Sequence, residues 1–204
     1  LKTIQSIRDK FVNRSYKILL IDDSEFNQEY LEKIEQSVDI FITRNMHPNI
    51  DYYTNISTTK GLGEAKHQQI VNEWIHNNNI TFKYLFKISG RYTLNDHFRY
   101  ESYDNNKCNF KLAIEVIDKN PHVKDYYYTS FYKIHYNYID IFNTVIKTIV
   151  NNEQLLINTY GYENVLPVLI MDHDKESIKN ITTLGITQNI SVWYKEHYLE
   201  QLHV

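Results

Sequence analysis

The sequence predicts a single α/β domain over residues 1–204, with a mainly parallel central sheet flanked by helices and some antiparallel strands in its C-terminal half. Strand, helix, strand, helix and strand patterns alternate in short succession between Lys17 and Ile88, which implies parallel pairing through right-handed crossovers. The chain has 204 residues, 42% of them hydrophobic and 23% charged, enough for one well-packed core and short for two. Beyond Ile88 the rhythm changes to β-forming segments at Phe110–Ile117 and Tyr126–Ile134. The turn Asp118-Lys-Asn-Pro121 between them suggests neighbouring, antiparallel strands.

Each element follows from its own pattern. Leu1, Ile4, Ile7, Arg8 and Phe11 recur at helical spacing, so residues 1–12 are expected to form an amphipathic helix. Lys17-Ile-Leu-Leu-Ile21 is a continuous apolar run closed by Asp22-Asp23-Ser24, a buried parallel strand with carboxylates at its C-terminal end. Ser24 would cap a helix running to about Glu35, and Val38–Thr43 would be the next strand. Residues 44–59 are polar and turn-rich, a long loop of the kind that covers a site. A helix is expected from Glu64 to His76, stopped by Asn77-Asn78-Asn79, then a strand at 82–88. Helices at about 137–151 and 163–173 follow, and Gly185–Trp193 closes the described pattern as a short strand or loop.

Composition excludes several classes. A net charge of −3 gives no basic field, which disfavours nucleic acid as the partner. No run approaches the roughly 18 apolar residues of a membrane span, and no basic-then-apolar leader opens the chain, so a soluble, cytoplasmic protein is expected. Cys108, the single cysteine, excludes an internal disulfide and a thiolate metal cluster; it falls in a polar turn without an adjacent histidine. The sequons at Asn13, Asn55, Asn180 and Asn189 are taken as chance, and the eighteen tyrosines as weak evidence of a binding surface. No His-Glu-x-x-His or Gly-x-Ser-x-Gly pattern supports metalloprotease or serine-hydrolase chemistry. Asp172-His173-Asp174 would fan around a helix end rather than share a metal ion.

The candidate site lies at the C-terminal ends of two strands, where ligands of open α/β sheets bind. Lys87, Ser89, Gly90, Arg91 and Tyr92 follow one apolar run; the two cations beside a glycine suit a phosphate or diphosphate, although an ordinary strand-turn with a solvated arginine explains the segment equally well. Asp22 and Asp23 end the other strand and would bind a ribose hydroxyl or a base, or else cap the helix that follows. Lys60-Gly61-Leu-Gly63 places glycines and a helix N-terminus beside them, an anion cradle or a tight loop-to-helix turn, without the P-loop or dinucleotide fingerprint.

The order of elements resembles the GT-A-fold glycosyltransferases. Leu1-Lys-Thr-Ile-Gln-Ser-Ile7 is similar to the family's first helix, Asp22-Asp23-Ser24 to the end of its second strand, whose acid contacts the nucleoside, and Lys60-Gly-Leu-Gly-Glu-Ala65 to its Asn/Lys-x-Gly-x-x-x-Ala segment before the third helix. Phe86-Lys-Ile-Ser-Gly-Arg-Tyr-Thr-Leu94, Tyr128-Thr-Ser-Phe-Tyr-Lys133 and Glu163-Asn-Val-Leu-Pro167 resemble segments of small glycosyltransferase-like proteins of viruses and microbes, which would put the chain in a host cytoplasm if it is viral. The resemblance implies a nucleotide-sugar donor and a glycan or other hydroxyl acceptor, with Glu163 as catalytic base and Asp172 as the second candidate. The family's metal-binding Asp-x-Asp would fall where this chain has Ser89-Gly90-Arg91, which implies transfer without a divalent metal and no other cofactor. The family's first strand would precede Leu1, so the sheet is either truncated or completed otherwise. The rival expectation is a non-catalytic module of the same architecture that binds a nucleotide, a glycan or a protein; a nucleotidyltransferase is a third.

Overall fold

The computed structural model describes residues 1–191 except Pro48, Thr58, Pro121 and Tyr160, together with residues 199–203; the side chains of Arg44, Lys60, residues 188–191 and residues 199–203 are outside the description. In chain order the elements are α1 (Lys2–Lys10), β1 (Leu19–Asp22), α2 (Gln28–Glu35), β2 (Ile40–Thr43), α3 (Lys60–Asn77), β3 (Tyr84–Ile88), β4 (Tyr92–Leu94), α4 (Tyr100–Tyr103), β5 (Cys108–Leu112), α5 (Ile114–Lys119), β6 (Tyr127–His135), α6 (Ile139–Asn151), α7 (Gln154–Ile157), α8 (Tyr162–His173), β7 (Ile178–Asn180), β8 (Ile186–Ser191) and β9 (Leu199–His203). The segment expected as a long, turn-rich loop holds a 3-10 turn at Arg44–Met46 and a π-helical turn at Tyr52–Ile56. Trp193, the expected end of the last strand, lies outside the described residues.

The fold is mixed α/β, and its sheets differ from the expected mainly parallel one. β1 and β2 pair in parallel, as the strand-helix-strand pattern implied. β3 pairs instead with β6, antiparallel, in a sheet of order β3-β6-β5-β7, where only β5 and β7 run parallel. β4, β8 and β9 form a third, antiparallel sheet. Among the described residues β1 and β3 share no ladder. The helix α3 joins their sheets: Ile70 and Trp74 pack on Ile42, Leu19 and Ile21, while Leu62 and Ala65 join the core formed with β5, β6, α6 and α8.

The strand β6 shows why its sheet is buried on both faces. Tyr132 and Ile134 point into the core with Phe142, Ile146 and Leu166, and Phe131 points the other way into a cluster of Phe11, Leu94, Phe98 and Tyr103. Tyr103, Tyr132 and Tyr162 are all buried, so tyrosines here fill the core. The amphipathic α1 covers that second face through Ile7 and Phe11, and the Thr3 hydroxyl donates to the Gly90 carbonyl over 2.9 Å while the Ser6 hydroxyl accepts from the Leu94 backbone N–H at 3.0 Å.

Several boundaries are corrected by local chemistry. Asn27, not Ser24, caps α2, its side chain accepting from the Tyr30 N–H at 2.8 Å. The strand expected at Phe110–Ile117 stops at Leu112, and Ile114–Lys119 turns into α5. The first strand, expected to be buried, is half-buried throughout, because it has a strand neighbour on one side only. Cys108 is not in a polar turn; it is the buried first residue of β5, and burial pushes its thiol up to about 11. Lys133 is fully buried on the same sheet, its ammonium donating to the Asn105 carbonyl at 2.8 Å and the Asn105 side-chain oxygen at 3.3 Å, and burial lowers its pKa to about 8. Among the described residues no helix is long and apolar enough to cross a membrane.

Candidate functional site

Lys87 is the centre of the site. It is the fourth residue of β3, and its ammonium donates to three acceptors: the Thr129 carbonyl at 2.6 Å, the Ser89 hydroxyl at 2.8 Å and Glu64 Oε2 at 3.0 Å. It also lies 5.7 Å from the centre of the Tyr132 ring. Glu64 belongs to the first turns of α3, and His67 follows three residues later on the same helical face. His67 Nε2 stands 3.6 Å from Asp23 Oδ1, which brings the end of β1 to the same place. Burial lowers the His67 pKa against the opposing pull of Asp23, Asp22 and Glu64, with Lys87 reinforcing the decrease. One imidazole therefore lies within electrostatic reach of both strand ends.

Glu163 enters from α8. Burial raises its pKa, Glu64 adds to the rise, and its own backbone N–H and Lys87 oppose it. Its carboxylate folds back over Gly161, the residue before the helix, which takes φ +92°. Pro167, one helical turn on, has no N–H to offer the Glu163 carbonyl. Tyr92, half-buried, lies within reach of Glu64, Arg91 and Glu163, and burial raises its phenol pKa. Lys87, Ser89, Tyr92, Glu163, Asp22 and Asp23 are thus brought together, and Glu64 and His67 join them.

The remaining expected residues fall elsewhere or act otherwise. Asp22 Oδ1 accepts from the Ser24 backbone N–H at 2.8 Å and shapes the turn after β1; neither aspartate caps α2, which begins five positions later at Gln28. Arg91 is exposed and makes no hydrogen bond or ion pair among the described residues. Asp172 is exposed at the far end of α8, nine residues and about 14 Å of helix from Glu163. The turn at 89–92 closes with the Tyr92 N–H donating to the Ser89 carbonyl at 3.0 Å. Among the described residues no group of three or more His, Cys, Asp or Glu side chains is placed to hold a metal ion.

Gly61 and Gly63 lie inside α3, not in a loop before it. A Cβ on Gly61 would stand 2.7 Å from the Tyr162 Cβ, and one on Gly63 would stand 3.1 Å from the Tyr53 carbonyl oxygen. These glycines let α3 approach α8 and the 52–56 turn, and so set the spacing of Glu64 and Glu163. Lys60 begins α3, its side chain outside the description. The loop before α3 is tied down by Glu153, whose Oε1 accepts from the Ser57 hydroxyl at 2.6 Å and the Thr59 hydroxyl at 3.0 Å. Gly61→Ala is expected to cost roughly 1–3 kcal/mol, the usual range for overpacking. Gly90→Ala should be neutral or stabilising by about 0.4–1 kcal/mol, because a Cβ there meets nothing within 4 Å and the backbone is not left-handed. Chemical denaturation of the two variants side by side tests this; equal losses in both would refute the packing role.

Compared with models of known protein families and with curated protein sequences, the chain matches none.

Proposed function

We propose that this chain is a glycosyltransferase of GT-A-like architecture, moving a sugar from a nucleotide-sugar donor to a glycan or other hydroxyl acceptor without a divalent metal. The observation that supports it is the meeting of Asp23, Lys87 and Glu163 around His67 and Glu64, from two strand ends and two helices. In this reading Asp22 or Asp23 holds the nucleoside, and Lys87 with Arg91 faces the diphosphate. Glu163 takes the proton of the acceptor hydroxyl as its oxygen attacks the anomeric carbon, and the bond to the diphosphate oxygen breaks. The departing negative charge falls to Lys87 and Arg91, the part a metal ion plays elsewhere. A carboxyl with raised proton affinity suits that base.

A second reading, a non-catalytic nucleotide- or glycan-binding module, is favoured by one feature: all three Lys87 hydrogen bonds are taken by the protein itself. Calorimetry and thermal-shift measurements with nucleoside diphosphates and nucleotide sugars, with and without manganese, separate the two. Stabilisation by a nucleotide sugar followed by its hydrolysis or transfer supports the enzyme; binding without turnover supports the module.

Arg91 gives a sharper test. Its exposed guanidinium makes no hydrogen bond or ion pair among the described residues, so Arg91→Ala should leave the melting temperature of the free protein nearly unchanged. The same substitution should weaken nucleoside-diphosphate binding by about 1.5–3 kcal/mol, the range for a hydrogen bond to a charged group. Arg91→Lys should recover only part of that loss, since an ammonium cannot form the two-pronged contact of a guanidinium. Unchanged affinity in both variants would remove Arg91 from the site.

A further inference from the structure

We infer that Glu64 is a resident counter-ion, holding the place on Lys87 that an anionic ligand takes, and that it sets the affinity of the site by competing with that ligand. The inference rests on reading Lys87 as the anion-binding cation of the proposed site. An ammonium has three hydrogens, and here all three are donated, to Thr129, Ser89 and Glu64. A phosphate oxygen can bind only by replacing one acceptor. The Thr129 carbonyl is main chain of β6, on a buried residue between the pairing of Tyr128 with β5 and that of Phe131 with β3, and cannot leave without shifting the strand. The Ser89 hydroxyl is neutral and two residues along the same chain.

Glu64 differs from both. Its side chain is 41% exposed while that of Lys87 is 19% exposed, so the ion pair opens to solvent on the glutamate side. Rotation about its own side-chain bonds frees the lysine without moving α3. The carboxylate already acts electrostatically on the His67 imidazole, three residues along the same helix. Its negative charge is also the one that would repel an arriving anion, together with Glu163 and the Asp22–Asp23 pair. A helix side chain that both neutralises the cation and can swing away makes the site weak for monoanions and selective for ligands with enough charge to displace it.

The test is a calorimetric titration with inorganic pyrophosphate of the wild type, Glu64→Gln, Lys87→Met and the double variant. Glutamine keeps the length and the helix but loses the charge, so Glu64→Gln should bind pyrophosphate on the order of tenfold more tightly, as expected for removal of a half-buried, charge-assisted competitor. Lys87→Met should abolish binding, and the double variant should not regain it. Equal or weaker binding in Glu64→Gln overturns the inference, as does a gain that survives loss of Lys87, or no binding in any variant. Pyrophosphate separates this from the function proposed above. If Glu64→Gln tightens pyrophosphate binding while nucleotide sugars do not bind, the counter-ion stands and the glycosyltransferase falls. If nucleotide sugars are turned over and Glu64→Gln changes nothing, the reverse holds.

Discussion

Gly185→Ala is expected to destabilise the chain by roughly 2–5 kcal/mol, combining about 1–2 kcal/mol for a left-handed backbone with about 1–3 kcal/mol for overpacking. Gly185 has φ +71°, a conformation that side chains with a Cβ rarely adopt. A Cβ there would stand 2.2 Å from the Phe98 Cα and 2.4 Å from its backbone nitrogen. Neither atom is the end of a flexible side chain. Phe98 is itself wedged among rings, 5.5 Å from Phe11, 5.5 Å from Tyr103 and 6.0 Å from Phe131 between centroids. The Gly185 carbonyl also accepts from the Asn95 N–H at 2.9 Å, which ties the start of β8 to the turn before Phe98. Relief of the clash therefore has to separate β8 from the aromatic cluster that backs the sheet. Equilibrium denaturation of Gly185→Ala would contradict this account if the loss fell within about 0.5 kcal/mol of zero, the range of ordinary surface changes.

The parts of this architecture that were legible in the sequence are those encoded within a single segment. Leu19–Asp22 and Tyr84–Ile88 announce themselves as apolar runs that end in polar turns, and the C-terminal ends of both do carry residues of one cluster. The helical phase of Ile4, Ile7 and Phe11 likewise told which face of α1 and its C-cap is buried. Pairing was not legible in the same way. Nothing in Tyr84–Ile88 says whether its neighbour is β1 or β6, because a strand that packs on both faces has the same composition either way. β6 decides it: its alternation of Phe131 against Tyr132 and Ile134 fills two different clusters, and that pattern is visible only once both are known.

The site was legible to the same degree. Asp23 and Lys87 were marked by chemistry at strand ends and Glu163 by the family resemblance alone, but Glu64 and His67 were not marked at all. Starting α3 at Glu64 instead of Lys60 treated Glu64 as a helix-end residue, and a histidine on a long helix that packs on two sides carries no signal of its own. The usable clue was their spacing of three, which places both on one helical face with Gly61 leaving room for α8 beside it.

Glu163→Gln should separate chemistry from stability. If Glu163 is the base that takes the acceptor proton, the amide should lower the rate of transfer by about 10²–10⁴-fold while nucleoside-diphosphate affinity is retained. The same substitution should stabilise the fold at higher pH. Burial, helped by Glu64, raises the folded pKa of Glu163 above its ordinary value, so its share of stability is fully present below the unfolded pKa. That share is lost as pH rises through the folded value, because ionisation is then less favourable in the folded chain than in the unfolded one. Glutamine has no proton to lose and escapes the loss. The melting temperature of Glu163→Gln relative to the wild type should therefore climb as pH moves from below the ordinary glutamate range to above the raised value. A merely structural glutamate, held by an ion pair, would show the opposite slope, since its removal would hurt most where it is charged. Melting curves at pH 4 and pH 8, read beside transfer rates, decide between them: a difference that does not change with pH would remove the raised proton affinity, and an undiminished rate would remove the base.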